Sequence, residues 1–197
     1  MGKTLVLFDF DGTITYKDTL FELIKYHKGS NSFYMGMMRH FAQLALHKTG
    51  FIASQPMKEM VMTHFWKGTP EKEFTEVCAS FSASVLPGLL RSQAIETIQQ
   101  YQQKGHDIAI VSASAEDWVM PFCNQHSLTC LSSRLEKKDG RLTGKLLGLN
   151  CNGPEKVSRV KAHFNTASYS VIIAYGDTNG DKPMLQFATE AHYKPFR

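Results

Sequence analysis

The most informative part of the chain is residues 5–13, which read LVLFDFDGT. An uninterrupted run of four apolar residues is typical of a strand buried on both faces within a parallel sheet. Two carboxylates, Asp9 and Asp11, follow that strand directly. Taking a carboxylate out of water costs free energy unless it is paired or binds a metal. We therefore predict a functional site at the end of this strand, although a helix N-cap and an ordinary loop residue would account for the two aspartates separately.

Two further apolar runs end in the same manner farther along the chain. Residues 108–111 precede Ser112, and residues 171–175 precede Gly176 and Asp177. In open α/β sheets, ligands bind in the crevice outside the carboxyl ends of the strands. The three runs therefore predict an α/β fold with a parallel sheet, in which these polar side chains lie together with the first aspartate pair.

Residues 15–85 show a different pattern. Apolar residues recur there at helical spacing, and no strand-like run occurs. We predict a helical insertion, or cap, over 15–85, and a sheet-bearing core formed by 1–14 and 86–197. Shorter signals indicate the other core elements. They are a helix from Leu89 to about Gly105, a hairpin turned at Asp139 and Gly140, a helix from Gly153 to Phe164, a helix over 180–188 and a strand over 191–193.

A methionine-rich run lies within the predicted cap. Met35, Met38, Phe41 and Ala45 recur at helical spacing, which favours burial in the core of the cap. The alternative is that these adaptable side chains line a pocket.

Composition narrows the class of protein. The 197 residues carry 22 Lys and Arg against 18 Asp and Glu, a formal net charge of +4. The basic residues are scattered, so we expect no nucleic-acid partner. No run approaches the ~18 apolar residues of a membrane span, so we expect no membrane partner. Four widely spaced cysteines and the lack of a secretory signal predict free thiols and a cytoplasmic protein.

The polar residues occur in an order that resembles a known family. The order is Asp9-x-Asp11, Ser112, Lys156, then Gly176-Asp177 with Asp181. In this order the motifs resemble those of the phosphatases of the haloacid dehalogenase superfamily. Helical content directly after the first motif is similar to the branch that contains phosphoserine phosphatase. The resemblance covers nearly the whole chain, and it implies a three-layer, Rossmann-like parallel sheet with an inserted helical cap.

The resemblance also implies catalytic roles. Asp9 is expected to be the nucleophile that forms an aspartyl-phosphate, and Asp11 the general acid–base. Crowded carboxylates would repel a phosphate, so a cation is required, and oxygen ligands suit Mg²⁺. Its expected ligands are Asp9, the backbone carbonyl of Asp11, and Asp177. We expect Asp181 to act mainly by holding a metal-bound water or Lys156.

Other residues are expected to contact the substrate. Lys156 and the Ser112 hydroxyl would bind the phosphoryl oxygens, with further backbone donors from Gly12, Thr13 and Ala113. The resemblance places a substrate-binding acid near Asp18, which a helix N-cap would explain equally well. Arg39 is a candidate to bind a substrate carboxylate, and its alternative is a solvated position.

Two positions differ from the pattern of phosphoserine phosphatases. Ala113 and Ser114 follow Ser112 where two glycines are usual, and Gly180 stands where asparagine usually precedes the last aspartate. We therefore predict a Mg²⁺-dependent phosphomonoesterase that acts on a small phosphorylated metabolite, without naming the metabolite. The alternatives are a phosphotransferase built on the same core and a phosphate-binding regulatory module with little turnover.

Overall fold

The computed structural model describes residues 3–43 and 53–196. The strands within them are β1 (Thr4–Phe8), β2 (Asp107–Ala115), β3 (Thr129–Ser133), β4 (Leu135–Lys138), β5 (Arg141–Leu146), β6 (Val171–Gly176) and β7 (Glu190–Tyr193). The α-helices within them are α1 (Thr19–Lys28), α2 (Ser30–Arg39), α3 (Ser54–Trp66), α4 (Glu71–Ser84), α5 (Ser92–Gln103), α6 (Glu116–Gln125), α7 (Pro154–His163) and α8 (Lys182–Phe187). Five parallel strands form one sheet in the order β3-β2-β1-β6-β7.

The first strand lies at the centre of this sheet and is buried on both faces. It pairs with β2 on one side and with β6 on the other. Successive side chains of a strand point to opposite faces. Accordingly, Val6 and Phe8 pack into a core shared with α5 and α6, whereas Leu5 and Leu7 pack into a second core with α7 and α8. The predicted α/β fold, with helices on both faces of a parallel sheet, is confirmed.

Four helices, α1 to α4, lie between β1 and α5 in the described residues, as the helical spacing predicts. Their buried side chains belong to the same core as Val6 and Phe8, so the helical insertion packs on one side of the sheet. The boundaries at 15 and 85 stay a prediction. None of the helices in the described residues has the length and apolar content that a membrane crossing requires.

The hairpin of β4 and β5 packs against the cap helices although it belongs to the predicted core segment. Thr63 on α3 donates its hydroxyl to the carbonyl of Gly144, and Gly68 donates its N–H to the carbonyl of Leu142. Gly144 has φ +82°, and a Cβ at this position would lie 2.3 Å from the Cα of Thr63. A glycine is therefore required where the hairpin meets α3.

Several predicted boundaries are wrong. β2 does not end before Ser112 but continues to Ala115, with an irregular register between these two residues. Leu89 lies in a 3₁₀ turn over Leu86–Leu89, and the helix begins only at Ser92. The edge strand β3 was not expected because its sequence, TCLSS, has few apolar residues.

The prediction that the methionine-rich run is core is also wrong. Its exposed fractions are 72% for Met35, 76% for Met38 and 72% for Phe41. Helical spacing shows which residues share a face, but not whether that face meets the core. On α2 the buried face is formed by Phe33 and Gly36, which pack against Phe65. Ala45 lies outside the described residues.

Candidate active site

Asp9 lies at the end of the central strand and is buried. Its N–H donates to the carbonyl of Tyr175 on β6, which extends the sheet pairing by one residue. One carboxylate oxygen accepts from Lys156 at 2.6 Å, and the other accepts from the Thr13 hydroxyl at 3.3 Å. Burial raises the pKa of Asp9 to about 7, and the charge of Lys156 opposes that rise.

Lys156 connects the ends of three strands. Its ammonium donates to Asp9 Oδ1 and Asp181 Oδ1 at 2.6 Å each, and to the carbonyl of Val111 on β2 at 2.7 Å. An ammonium has three donors, so all of them are used. Burial alone would lower the pKa of Lys156, but the carboxylates of Asp9 and Asp181 raise it above the usual value. The side chain, which is 1% exposed, therefore stays charged at neutral pH.

Asp181 organises the turn that follows β6. Its Oδ2 accepts from the N–H groups of Asp177 and Thr178 at 3.1 and 2.9 Å, and from the Thr178 hydroxyl at 2.9 Å. Burial alone would raise the pKa of Asp181, but Lys156 and these donors hold it below its usual value. Both oxygens of Asp181 thus already accept hydrogen bonds from the protein.

Three buried carboxylates could hold a metal ion. Ligand oxygens of Asp9, Asp177 and Asp181 lie within 4.8 Å of one another. Three carboxylates and the Lys156 ammonium would carry a charge of −2 when all are ionised, which a divalent cation would balance. A Cβ at Gly12 would lie 2.4 Å from Asp177 Oδ2, so glycine lets the first loop approach this carboxylate. The all-oxygen donor set fits Mg²⁺.

Asp11 is held by donors from two other parts of the chain. Its Oδ1 accepts from the N–H and the hydroxyl of Thr19, at 2.7 and 2.6 Å, and its Oδ2 accepts from the Ser114 hydroxyl at 2.6 Å. Trp118 Nε1 in turn donates to the Thr19 hydroxyl at 3.1 Å. The sequence motifs did not identify Thr19 and Ser114 as site residues. The signal for Ser114 was its departure from the glycine that is usual at this position.

Ser112 lies farther from the cavity than its neighbours do. It is fully buried, and its Oγ accepts from the N–H of Ser114 at 3.0 Å. Ala113 and Ser114, by contrast, line the cavity next to Asp9 and Asp11. The structure therefore brings the end of β2 to the site as predicted, with Ser112 beneath the surface that Ala113 and Ser114 form.

The cap contributes two charged residues to the cavity. Asp18 caps α1 by accepting from the N–H of Phe21 at 3.3 Å, and it also lines the cavity, so both interpretations of this residue agree with its position. Lys58 on α3, which the sequence analysis missed, donates to the carbonyl of Ala113 at 2.7 Å. The loss of solvent around its carboxylate in the cavity raises the pKa of Asp18 to about 6, with a further contribution from Asp11, although the residue as a whole stays exposed. Burial lowers the pKa of Lys58, and the nearby carboxylates oppose this.

The cavity has an inner and an outer part. The inner part, of about 140 Å³, lies against the carboxylates and Lys156. The outer part, of about 520 Å³, shares Asp18, Lys58 and Ala113 with it. The outer part also has apolar walls, which are formed by Leu20, Phe21, Met57 and Val61. A phosphoryl group fits the inner part, and the remainder of a substrate would meet a partly apolar surface in the outer part.

Arg39 is not brought to this cavity. It is exposed at the end of α2, where it lines a separate surface groove with Met35 and His64. Its position agrees with the solvated alternative rather than with a substrate contact.

The chain is similar to a known protein family and to curated proteins. The model of haloacid dehalogenase-like hydrolases matches residues 6–186. Protein CicA of Caulobacter vibrioides is 33% identical over 195 residues, which cover 98% of this chain and 86% of that protein.

Solved structures show the same fold. A protein of unknown function from Bordetella pertussis superposes with a TM-score of 0.81 at 19% identity, over 97% of this chain and 89% of that one. A substrate-bound phosphoserine phosphatase complex superposes with a TM-score of 0.68 at 21% identity, over 98% and 86%. The fold is thus that of the branch the motifs predict. Together with the family match over most of its length, this shows that the chain belongs to the haloacid dehalogenase-like hydrolases.

Proposed function

We propose that this phosphoric monoester hydrolase cleaves a small phosphorylated metabolite with the help of Mg²⁺ and through an aspartyl-phosphate on Asp9. The observation that carries the proposal is the position of Lys156. One buried ammonium contacts the proposed nucleophile Asp9, the carboxylate of Asp181 and the carbonyl of Val111 on β2. Such a fixed positive charge next to a carboxylate suits the binding and transfer of a phosphoryl group.

In the first half of the reaction, a carboxylate oxygen of Asp9 attacks the phosphorus, and the bond from phosphorus to the ester oxygen breaks. Asp11 gives its proton to the departing alkoxide, which leaves as an alcohol. Lys156 stabilises the negative charge on the phosphoryl oxygens. Backbone N–H groups of Gly12 and Thr13 would add further donors to those oxygens.

In the second half, water attacks the phosphorus of the aspartyl-phosphate while Asp11 accepts its proton. The bond from phosphorus to Asp9 breaks, which releases phosphate and restores both carboxyl groups. Thr19 and Ser114 hold Asp11 in one orientation, so the same group is in place for both proton transfers. We infer that these two residues are positioning residues.

The carboxylates of Asp9 and Asp177, together with the backbone carbonyl of Asp11, would hold the metal ion. When bound, Mg²⁺ would neutralise the charge between these carboxylates and the phosphoryl oxygens. Asp181 would keep Lys156 and the turn after β6 in place, because all its contacts are already made within the protein.

The substrate is proposed to be a small metabolite because the cavity is small and is lined on one side by the cap. Asp18 and Lys58 lie at the join of its two parts and would meet charged or polar groups next to the phosphate. A phosphoserine phosphatase among the structural neighbours supports a small phosphorylated substrate. A cytoplasmic location is supported by the four cysteines, all of which are free.

The proposal is tested by hydrolysis of an aryl phosphate with added Mg²⁺ and with EDTA. We expect turnover that EDTA abolishes and Mg²⁺ restores. Asp9→Asn should abolish turnover while the variant still unfolds in one cooperative thermal transition, which shows that it is folded. Asp139→Asn is the matched control, since it makes the same chemical change in an exposed turn where asparagine tolerates the positive φ. Metal-independent release, or near wild-type turnover by Asp9→Asn, would refute the proposal.

A further inference from the structure

Four apolar side chains form an exposed patch on and just beyond α2. Their exposed fractions are 58% for Tyr34, 72% for Met35, 76% for Met38 and 72% for Phe41. Positions three or four residues apart share one face of a helix, so Met35 and Met38 point the same way, as do Tyr34 and Met38, and Phe41 follows just beyond the end of α2. We call these four residues the α2 patch. Contiguous apolar surface of this kind marks a contact with a partner or a membrane more often than isolated exposed residues do.

The segment of sequence around the α2 patch is basic and lacks acidic residues. Between Glu22 and Glu59 the sequence has no acidic residue, and the intervening residues 23–58 contain five Lys or Arg residues and three histidines. Of these, Lys25 is paired with Glu22, and Lys58 points into the active-site cavity. Arg39 is exposed at the end of α2, next to the patch. An apolar face next to an exposed arginine, in a segment whose sequence has no acidic residue, is complementary to an anionic interface.

Two shallow grooves adjoin the α2 patch, and Arg39 lines both of them. One groove is lined by Met35, Arg39 and His64, and the other by Arg39, His40 and His64 with Met60. His40 Nε2 and His64 Nδ1 lie 3.3 Å apart, so these two imidazoles contact each other. Among the described residues, the exposed guanidinium of Arg39 has free donors, and Arg binds phosphate in a bidentate manner.

We propose that the α2 patch docks this protein on an anionic phospholipid membrane surface. Tyr34, Met35, Met38 and Phe41 enter the boundary between headgroups and acyl chains, while Arg39 binds headgroup phosphates. The contact is peripheral and needs no membrane-spanning helix. It revises the expectation of no membrane partner, which rested on the length of apolar runs.

A second copy of this chain fits the surface less well than an anionic membrane does. In a symmetric dimer the same patch meets itself, so the acid-free segment of one copy would face that of the other. Like charges across an interface oppose association, whereas anionic lipid attracts them.

The α2 patch is separate from the active site. α3 lies between them, with Met57 and Val61 facing the cavity and Met60 and His64 facing the grooves. Changes in the patch should therefore leave hydrolysis of a soluble phosphate ester unaltered, and vesicle binding can be measured whether or not the proposed activity is correct.

The test is co-sedimentation of the full chain with vesicles. One set consists of phosphatidylcholine alone, and the other of equimolar phosphatidylcholine and phosphatidylglycerol. We expect binding to the anionic vesicles that is at least about tenfold stronger and weakens with added salt. The double variant Met35→Asp with Met38→Asp should lose at least about tenfold in that binding. The double variant Leu147→Asp with Leu149→Asp is the control, because it adds the same charge at two exposed apolar sites away from the α2 patch, and it should bind as the wild type does.

Thermal unfolding of each variant shows whether it is folded, and Arg39→Gln tests the ionic part of the contact without altering the apolar side chains. Equal binding of the wild type to both vesicle sets, or none to either, would overturn the proposal. So would a stable dimer that the double variant disrupts, because that result would assign the α2 patch to a second copy.

Discussion

At the scale of single residues, the arrangement of the active-site carboxylates depends on one buried ammonium. Lys156 contacts two carboxylates that burial would otherwise penalise, and it has no donor left over. Removing one partner of a buried ion pair leaves the other charge uncompensated, which costs more than the pair itself contributes. Lys156 should therefore matter for stability as well as for turnover.

Lys156→Met keeps most of the side-chain volume and removes the charge. We expect the free energy of unfolding to fall by about 3–5 kcal/mol near neutral pH, measured by urea titration. Lys156 opposes the effect of burial on the pKa of Asp9, so its removal should raise that pKa further. The variant should therefore gain stability relative to the wild type as pH falls. Lys182→Met, at an exposed lysine, should change stability by no more than about 0.5 kcal/mol. Similar losses in the two variants would contradict this account of Lys156.

Ser114 should act on turnover through the orientation of Asp11. Ser114→Ala removes the hydrogen bond to Asp11 Oδ2, and we expect kcat to fall about tenfold with KM little changed, since the loss of one charge-assisted bond is worth about 1.5 kcal/mol. Ser114→Thr keeps the hydroxyl and should restore most of the activity. Ser80→Ala, at an exposed serine, is the control. A merely structural role would be indicated if Ser114→Ala lowered stability while kcat stayed at the wild-type value.

Asp18 should make the stability of the folded protein depend on pH. Burial raises its pKa in the folded protein to about 6, above the value of about 3.8 expected when unfolded. Between these values the folded state holds more protons than the unfolded state, so this group lowers stability as pH rises through that window. Asp18→Asn keeps the helix cap without the charge. Its melting temperature relative to the wild type should therefore rise between about pH 4 and about pH 7, and a difference independent of pH would count against the raised pKa.

At the scale of secondary structure, the contact between the hairpin and α3 depends on Gly144. This residue and Gly148 both have positive φ, but a Cβ would clash with the Thr63 backbone only at Gly144. Gly148→Ala should cost roughly 1–2 kcal/mol from backbone strain alone. Gly144→Ala should cost a further 1–3 kcal/mol, roughly, because the hairpin must move away from α3. Equal losses in chemical denaturation would show that the close approach does not matter.

Individual strands and helices also differ in how well the sequence predicts them. The central strands are recognisable because both of their faces are buried, so their sequences are continuously apolar. The edge strand β3 carries serine and threonine and gives no such signal. For α2, spacing identified the shared face of Met35 and Met38, but the direction of that face depends on how Phe33 and Gly36 meet α3. That packing is tertiary and does not follow from local pattern.

At the scale of the whole molecule, residues far apart in sequence meet because parallel strands end at one edge. Lys156 lies 147 positions from Asp9 and 25 from Asp181, yet it binds both. The order of the motifs predicted this meeting. It did not predict Lys58, because a single lysine on a cap helix looks like any solvated lysine until the packing of α3 aims it at Ala113.

The proposed mechanism requires that Asp9 becomes phosphorylated during turnover. Acid quenching of the enzyme during hydrolysis of an aryl phosphate, followed by mass spectrometry of its peptides, tests the claim directly. We predict one phosphoryl group on the peptide that contains Asp9, formed and lost at rates that match turnover and absent from Asp9→Asn. Turnover without this species, or with the phosphoryl group on another residue, would contradict it.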